Sequence, residues 1–245
     1  MAPSRRAPAG PPVRRVERDP EAGVPGGWPF ALPAVAQLLR DGLDLAPGVT
    51  FLLGENGSGK STVVEALAGA YGLNPEGGSR GAQHRTRATE SPLAEVLRLV
   101  RSPGRQASSY FLRAETMHGL YTYLEEHPGR SPEPRFHEMS HGESFLAVLR
   151  ERFDGYGFFL LDEPESALSF SSCLGLLALL QELRAAGAQV VCATHSPVLA
   201  ALPGATLLEL GDHGLRQAAY DDLPVVQHWR AFLDAPDRYL RHLLE

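Results

Sequence analysis

The sequence predicts an α/β protein with a mainly parallel sheet flanked by helices. Short, continuously apolar runs occur at Val49–Leu53, Gly157–Leu161 and Val190–Ala193, and each is typical of a strand buried on both faces. Helical patterns follow two of the runs, near Ser61–Tyr71 and Cys173–Ala186. Because strands that alternate with helices usually run parallel within one sheet, these observations together favour a layered α/β domain.

Length and composition are those of an ordinary globular protein. The chain has 245 residues, of which 43% are hydrophobic and 21% charged, enough for one large domain or two small ones. The net charge of −6 argues against a surface that binds nucleic acid throughout, although a local basic groove is compatible with it. No apolar run reaches 18 residues, and no apolar core follows the N-terminal arginines as in a signal peptide. We therefore expect a cytoplasmic protein.

Two segments lack hydrophobic periodicity. Residues 1–27 are rich in Pro, Gly, Ala and Arg, and the pattern predicts a disordered tail followed by a single domain over 28–245 that begins at Trp28–Phe30. The polar stretch 74–92 carries three arginines, Arg80, Arg85 and Arg87. We interpret this stretch as a solvated loop, and the alternative is a loop that faces phosphates or DNA.

The remaining elements are weaker predictions. Tyr110–Leu112 is expected to be a further strand, and Thr206–Leu210 a strand that ends in a hairpin turn. Helical spacing in the last thirty residues predicts helices that pack back on the core. Cys173 and Cys192 lie in apolar runs without metal-ligand spacing, so we expect both to be buried as small hydrophobic residues.

A phosphate-binding motif lies between the first buried strand and its helix. Residues 54–61 read GENGSGKS, which fits the pattern G-x-x-x-x-G-K-S. Its glycines allow backbone N–H groups to point at a phosphate, and the helix adds the positive end of its dipole. Lys60 would reach the β- and γ-phosphates and the Ser61 hydroxyl would ligate Mg²⁺. The candidate nucleotide-binding residues of this segment are Gly54, Glu55, Asn56, Gly57, Ser58, Gly59, Lys60, Ser61 and Thr62.

Lysine occurs once in the chain, at Lys60, whereas arginine occurs 22 times. The one lysine therefore falls inside the phosphate-binding motif. A compact ammonium group on a flexible stem fits among phosphate oxygens, whereas a broad guanidinium does not.

Two carboxylates end the second buried strand. The run FFLL is followed directly by Asp162 and Glu163. Asp162 would hold Mg²⁺, and Glu163 would orient and deprotonate an attacking water. An acidic turn after a core strand is the alternative, but a phosphate-binding loop needs such an acid nearby. The sequence thus predicts ATP and Mg²⁺ as cofactors and ATP hydrolysis as the reaction.

Two further short motifs lie on either side of Asp162 in the sequence. MSHGES at 139–144 opens a helix through Phe145–Arg150, and alone it would be an ordinary helix N-terminus. His195, in the segment THSP after the third buried strand, lies 33 residues beyond Asp162. A lone histidine after a strand is usually structural.

The ordered set GENGSGKS, MSHGES, FFLLDEPESAL and ATHSP resembles the ABC ATPase superfamily of P-loop NTPases over most of residues 49–200. More narrowly, the chain is similar to a family of small, soluble bacterial predicted ATPases. That resemblance rests on the segments Trp28–Phe30, EGGSR (76–80), FLRAE (111–115) and MSHGESF (139–145).

The resemblance implies a mechanism that needs two copies of the chain. In ABC-type proteins, two ATP molecules are sandwiched between the phosphate-binding loop of one subunit and the signature of the other. Ser140, Gly142 and Glu143 would then face the nucleotide of the partner, in a helical signature subdomain over about 74–155. His195 would contact the γ-phosphate within its own subunit. Trp28 or Phe30 either stacks on adenine or packs in the core.

Three positions depart from the superfamily pattern. Glu115 stands where a glutamine usually helps to hold the metal, so we expect it as a third metal-site residue beside Ser61 and Asp162. The last residue of the signature is Glu143 instead of glutamine. Ser169 replaces the aspartate expected in the loop that spans the dimer.

Three functions remain open at this point. The first is an ATP-dependent homodimer that acts as a switch on a protein or DNA partner, as in SMC-like repair ATPases, and the forms GENG and SHGE favour it. The second is the ATP-binding subunit of a transporter with a separate membrane chain. The third is a regulatory or defence ATPase with slow turnover.

Overall fold

Two sheets and their flanking helices make up the part of the chain that the computed structural model describes, which is residues 10–74, 77–78, 92–103, 107–116 and 141–241. The strands in these ranges are β1 Val13–Arg18, β2 Leu43–Asp44, β3 Gly48–Leu53, β4 Leu97–Arg101, β5 Ser108–Arg113, β6 Gly157–Asp162, β7 Gln189–Ala193, β8 Thr206–Gly211 and β9 Gly214–Gln217. The α-helices are α1 Pro33–Asp41, α2 Lys60–Tyr71, α3 His141–Arg152, α4 Phe170–Ala185, α5 Pro197–Ala200, α6 Pro224–Asp234 and α7 Pro236–Leu240. Short 3₁₀ helices cover Pro92–Val96, Ala114–Thr116, Pro164–Ala167 and Tyr220–Asp222.

The larger sheet has six strands in the order β5-β6-β7-β3-β8-β9. All neighbours pair in parallel except β8 and β9, which form an antiparallel hairpin. The predicted fold class, a mainly parallel sheet flanked by helices, is therefore confirmed, and the strand predictions from Val49 onward agree with β3, β5, β6, β7 and β8. Parallel pairing brings the carboxyl ends of β5, β6, β7, β3 and β8 to one edge of the sheet.

Apolar side chains cover both faces of this sheet. Neighbouring residues along a strand belong to different apolar clusters, as Phe158 and Phe159 do on β6. The cluster around Phe159 includes residues of α3 and α4, whereas the cluster around Phe158 includes residues of α1, α2 and β1. Continuous apolar runs result because a strand between two helical layers has no solvent-facing side.

The N-terminal segment forms part of the second sheet, so the predicted disordered tail over 1–27 is wrong for the stretch that contains β1. β1 pairs antiparallel with β2 and with β4, in the order β2-β1-β4. Val13 and Val16 on β1 are fully buried. Two valines among arginines give a weak strand signal, and the partners that stabilise β1 lie far away in the chain. The domain boundary predicted at residue 28 is therefore also wrong.

The range predicted as a helical subdomain, about 74–155, is mixed in the structure. α3 lies in it, but β4 belongs to the small sheet and β5 to the edge of the large one. Of the loop predicted at 74–92, the structure describes Asn74, Gly77, Gly78 and Pro92, and Gly78 forms an isolated antiparallel bridge with Phe111. Arg80, Arg85 and Arg87 lie outside the described residues.

The C-terminal helices pack on the core only in part. Val226 in the first turn of α6 is buried, but Trp229 and Leu233 farther along are 51% and 69% exposed. Helical spacing indicates that an apolar face exists and does not say what covers it, so the prediction holds for the start of α6 alone. Cys173 and Cys192 are buried and free of disulfides, as predicted, and burial raises the pKa of both thiols. Within the described ranges, no helix has the length and apolar character needed to cross a membrane.

Candidate functional site

A glycine-rich loop joins β3 to α2 at the carboxyl edge of the large sheet. Gly54 has φ +146°, and a Cβ there would collide with the carbonyl oxygen of Leu210 on β8. Gly59 has φ +98° and is the last residue before α2. Glycine is needed at both positions, because L-residues rarely adopt such φ values and the first site has no room for a side chain. The loop is thus fixed close against β8, and its middle residues, Glu55 to Gly57, are exposed.

Lys60 lies at the start of α2 and is only 4% exposed. Its Nζ donates hydrogen bonds to the carbonyl oxygens of Gly54 at 2.9 Å and Glu55 at 3.0 Å. Burial lowers the pKa of Lys60, and the negative charges of Glu163 and Asp162 oppose that shift. The ammonium group therefore lies across the glycine-rich loop, where an anion held by the loop would meet it.

Asp162 ends β6 and is also 4% exposed. Burial raises the pKa of its carboxyl to about 6, and a hydrogen bond from Ser61 acts in the opposite direction. No hydrogen bond within the described part of the chain reaches Asp162 Oδ1, although this atom is buried. A buried carboxylate oxygen without a partner is costly, so this atom fits the position of a ligand to a cation.

The donor set suits Mg²⁺ better than a metal held by protein alone. The described residues contain no group of three or more His, Cys, Asp or Glu side chains arranged to hold a metal ion. Mg²⁺ usually takes one or two protein carboxylates and completes its shell with water and substrate phosphates. The hydroxyl of Ser61 beside the carboxyl of Asp162 matches that requirement at the end of the glycine-rich loop.

Glu163 and His195 face each other at the same edge. Glu163 Oε1 lies 3.4 Å from His195 Nε2, and the two side chains are 37% and 33% exposed. Glu163 is the one non-glycine residue with a positive φ, +48°, in the described ranges. Its backbone N–H donates to the carbonyl oxygen of Ala193 at 3.0 Å, and the N–H of His195 donates to Glu165 Oε1 at 2.5 Å. Unusual backbone conformations of this kind are common at functional sites.

Arg113 is part of the site, although the sequence pattern did not single out a role for it. It ends β5, and the register of the parallel pair β5–β6 places it beside Asp162. Arg113 Nε lies 3.4 Å from Asp162 Oδ2, Nη1 3.2 Å from Glu65 Oε2, and Nη2 3.5 Å from Glu115 Oε2. The segment FLRAE contained the signal, since its arginine and glutamate both follow a predicted strand.

Glu115 lies close to the site on its outer side. Its side chain is 75% exposed and faces the guanidinium of Arg113. Both Glu115 and Asp162 lie within 3.5 Å of the Arg113 guanidinium, and the negative charge of Glu115 adds slightly to the burial that raises the pKa of Asp162. Its role as a metal-site residue remains a prediction.

Two of the signature residues, Gly142 and Glu143, lie in the first turn of α3. A Cβ on Gly142, in the first turn of α3, would lie 2.7 Å from Ser172 Oγ and 3.8 Å from Leu168. Glu143 is exposed, and Ser140 lies outside the described residues. Ser169, the departure from the family pattern, caps α4 by accepting a hydrogen bond from the N–H of Ser172 at 3.2 Å. Gly142 therefore packs against the loop that follows Glu163 and against α4.

A cavity of about 410 Å³ borders the glycine-rich loop on the side of β8. Its other walls come from the start of α1, the turn between β8 and β9, and the start of α6. The two aromatic candidates for base stacking differ in exposure, since Phe30 is buried in the core and Trp28 is 68% exposed. Leu32, four residues after Trp28, lines the cavity and would lie 3.2 Å from a Cβ on Gly59.

Two stretches of the chain match known protein families. Residues 39–101, which contain the glycine-rich loop, match a family described as "AAA domain". Residues 135–201, which contain Asp162, Glu163 and His195, match a family described as "AAA domain, putative AbiEii toxin, Type IV TA system". The two matches together include the glycine-rich loop, Asp162, Glu163 and His195, whereas Arg113 and Glu115 lie between them.

Relatives among curated proteins carry ATP-binding names. The cytochrome c biogenesis ATP-binding export protein CcmA of Maricaulis maris is 28% identical over 72% of this chain and 86% of its own. An uncharacterized ABC transporter ATP-binding protein of Haemophilus influenzae is 24% identical over 78% of this chain and 81% of its own. A "Putative ribose/galactose/methyl galactoside import ATP-binding protein" of Hahella chejuensis is 27% identical, and the match spans 66% of this chain but 36% of that protein. The chain thus spans about a third of the length of this last relative.

A solved structure shares the fold at low sequence identity. Its title is "An inward-facing conformation of a putative metal-chelate type ABC transporter", and its TM-score is 0.50 at 18% identity. The match covers 91% of this chain and 89% of that one. At this identity the likeness supports the arrangement of strands and helices.

Proposed function

Because the chain belongs to the ABC-type ATPase superfamily, we propose that it binds Mg-ATP at the glycine-rich loop and hydrolyses the γ-phosphate. The single observation that carries this proposal is the convergence at one sheet edge of the only lysine of the sequence with a buried acidic residue. Lys60 spans the loop, and Asp162 presents an oxygen that no described residue hydrogen-bonds.

In the proposed site, each residue has a distinct task. The loop N–H groups and Lys60 would bind the phosphates, while Ser61 and Asp162 would hold Mg²⁺. Bound Mg²⁺ would neutralise charge that develops on the phosphate oxygens. Glu163 would take the proton of the attacking water, and His195, 3.4 Å from it, would orient that carboxylate and contact the γ-phosphate.

The exposed Trp28 is the proposed platform for the adenine ring. Phe30 is buried in the core, whereas most of the Trp28 side chain is exposed and free to contact a base. Aromatic rings stack readily on nucleobases.

We further propose that the ATP-bound form is a homodimer that acts as a switch on a protein or DNA partner. Gly142 packs against Ser172 of α4, and the resemblance to ABC-type ATPases supports a second copy as the source of the signature that covers the nucleotide. The observation that favours a second function, the ATP-binding subunit of a transporter, is the set of relatives with import and export names. ATPase turnover measured with and without DNA tests the DNA-partner form of the switch, since stimulation by DNA is expected of that form and not of a transporter subunit or of a switch on a protein.

Replacing Lys60 by alanine tests the nucleotide site. The change removes the buried ammonium group, and charge-assisted contacts to phosphate are worth roughly 1.5–3 kcal/mol each. We expect a loss of ATP affinity of about tenfold or more by calorimetric titration. Arg98→Ala, which removes an exposed cation from the small sheet, is the control and should bind ATP as the wild type does. Unchanged affinity in Lys60→Ala would contradict the proposed site.

A further inference from the structure

Arg113 stands at the centre of an unusual concentration of negative charge. Its guanidinium faces carboxylates from three elements, which are Glu65 on α2, Glu115 after β5 and Asp162 on β6. Glu163 is also close enough to raise the pKa of Asp162. Among the described residues, the cationic side chains near these four carboxylates are Arg113 and Lys60.

This concentration conflicts with the proposed ligand. ATP brings several negative charges to the same sheet edge, where Glu115, Asp162 and Glu163 already place carboxylates. Like charges at such distances, in a partly buried site, weaken binding by several fold. A site that retains Glu115 therefore needs a cation placed to offset it.

The geometry points to Arg113 as that cation. We propose that Arg113 is a positioning residue that neutralises Glu115 and holds Asp162 by one oxygen, so that the site accepts a polyphosphate. The inference rests on the proposed nucleotide site and adds to it a residue at the end of β5, outside the glycine-rich loop.

The fork of the guanidinium explains how one side chain serves both carboxylates. Nε lies 3.4 Å from Asp162 Oδ2 as an ion pair, and Oδ1 is the oxygen of Asp162 that no described residue hydrogen-bonds. Nη2 faces Glu115 at 3.5 Å, on the exposed side. Nη1 donates to Glu65 at 3.2 Å, which fixes the guanidinium to the helix that follows the glycine-rich loop. A lysine has one nitrogen and cannot face three acids in these directions.

The backbone supports the same arrangement. Arg113 is aligned with Asp162 in the β5–β6 register, and Glu115 lies two residues farther, in the 3₁₀ helix Ala114–Thr116. The distance between the arginine and the two acids is thus set by a parallel strand pair and not by a long loop. Arg113 is 24% exposed and Glu65 13%, so water screens their interaction less than it screens a surface ion pair.

The test is a double-mutant cycle on nucleotide affinity without metal. Binding of ATP in EDTA is measured by calorimetric titration for the wild type, Arg113→Met, Glu115→Gln and the double variant. We expect Arg113→Met to lose roughly tenfold in affinity, because the carboxylates then repel the phosphates. In the Arg113→Met background, Glu115→Gln should raise ATP affinity at least fivefold. In the wild type, Glu115→Gln should change the free energy of ATP binding by less than half as much.

Controls separate this role from a purely structural one. Arg98→Met removes an arginine that pairs with Glu17 in the small sheet and should leave ATP affinity unchanged. Circular dichroism and thermal unfolding establish that each variant is folded, and Glu115→Gln alters an exposed side chain. Arg113→Lys should recover less than half of the loss in binding energy.

The outcomes distinguish this inference from the proposed function. If the wild type does not bind ATP with or without Mg²⁺, the nucleotide site itself fails. If the wild type binds ATP and Glu115→Gln has the same effect with or without Arg113, the neutralising role of Arg113 is overturned. If Arg113→Met folds and binds metal-free ATP as the wild type does, the inference is overturned as well.

Discussion

A buried carboxylate with a raised pKa is the residue-scale feature on which the account depends most. The pKa of Asp162 lies near 6, above its ordinary value of 3.8, because burial disfavours the charged form. In the folded protein without nucleotide, this carboxyl therefore takes up a proton as the pH falls through 6, whereas the unfolded chain takes one up only near pH 4. Its charged form opposes folding above pH 7, and this cost declines as the pH falls.

Asp162→Asn should therefore stabilise the nucleotide-free protein in a pH-dependent way. The expected gain in free energy of unfolding is up to about 3 kcal/mol at pH 8 and about half of that at pH 5. Denaturant unfolding in EDTA at both pH values is the measurement, with the exposed change Asp154→Asn as the control. A variant less stable than the wild type at pH 8 would show that Asp162 is well accommodated without a cation.

Glu163→Gln tests the proposed base. The amide keeps the size of the side chain and cannot accept the proton of the attacking water. We expect near-normal ATP binding and a loss of hydrolysis of about 10²–10⁴-fold, measured as phosphate release at saturating ATP. Glu151→Gln on the exposed side of α3 is the matched control. Wild-type turnover in Glu163→Gln would place the base elsewhere, with Glu115 as the first residue to change.

Residues that the sequence identified and residues that it missed differ in the origin of their signal. Lys60 and Asp162 belong to short motifs, where spacing and residue type suffice. Arg113 becomes meaningful only when β5 pairs with β6 and brings it beside Asp162, 49 positions later in the chain. Pairing between distant strands is not written in any local pattern, so such a residue is found in the structure.

At the scale of elements, Gln189 joins the two sheets. It is the first residue of β7 and is 1% exposed. Its Oε1 accepts the N–H of Val13 at 2.9 Å, and its Nε2 donates to the carbonyl oxygens of Val13 at 2.8 Å and Ala46 at 3.0 Å. A buried side-chain amide thus satisfies backbone groups of β1 and of the segment before β3.

Gln189→Leu should destabilise the fold because it leaves these buried backbone groups without partners. We expect a loss of about 2–4 kcal/mol in the free energy of unfolding, since each unsatisfied group costs about 1–3 kcal/mol. Gln227→Leu on the exposed side of α6 is the control and should change stability by less than about 0.5 kcal/mol. Equal stability of Gln189→Leu and the wild type would mean that β1 is docked by its valines alone.

The contact between Gln189 and β1 explains why disorder was wrongly predicted for the N-terminal segment. A composition rich in Pro, Gly and Arg indicates disorder for an isolated segment, but Val13 lies 176 positions from the Gln189 amide that holds it. By contrast, β3, β6 and β7 were found from sequence because their apolar runs report burial on both faces. Local patterns therefore identified the central strands of the large sheet, whereas the small sheet β2-β1-β4 depends on pairing between distant segments.

At the scale of the whole molecule, the proposed mechanism needs a second copy. Lys60 lies at the carboxyl edge of the sheet, and the start of α3 packs toward Ser172 and Leu168. A partner chain is the proposed source of the groups that would close over the γ-phosphate. Because only the triphosphate would contact both copies, ATP should favour the dimer and ADP the monomer.

Ser140→Arg separates dimer formation from nucleotide binding. A large cation in the signature should block the contact with the nucleotide of the partner while the glycine-rich loop of its own chain remains intact. We expect the variant to bind ATP within about twofold of the wild type and to remain monomeric by sedimentation. Loss of ATP binding in this variant would contradict the assignment of Ser140 to the opposite subunit.

The most direct test of the account is the mass of Glu163→Gln in solution with Mg-ATP. Since this variant is expected to bind ATP and not hydrolyse it, the nucleotide cannot reset the state during the measurement. Multi-angle light scattering should give a dimer with Mg-ATP and a monomer with Mg-ADP, at micromolar protein concentrations. A monomeric mass with Mg-ATP at every concentration would contradict the two-subunit mechanism.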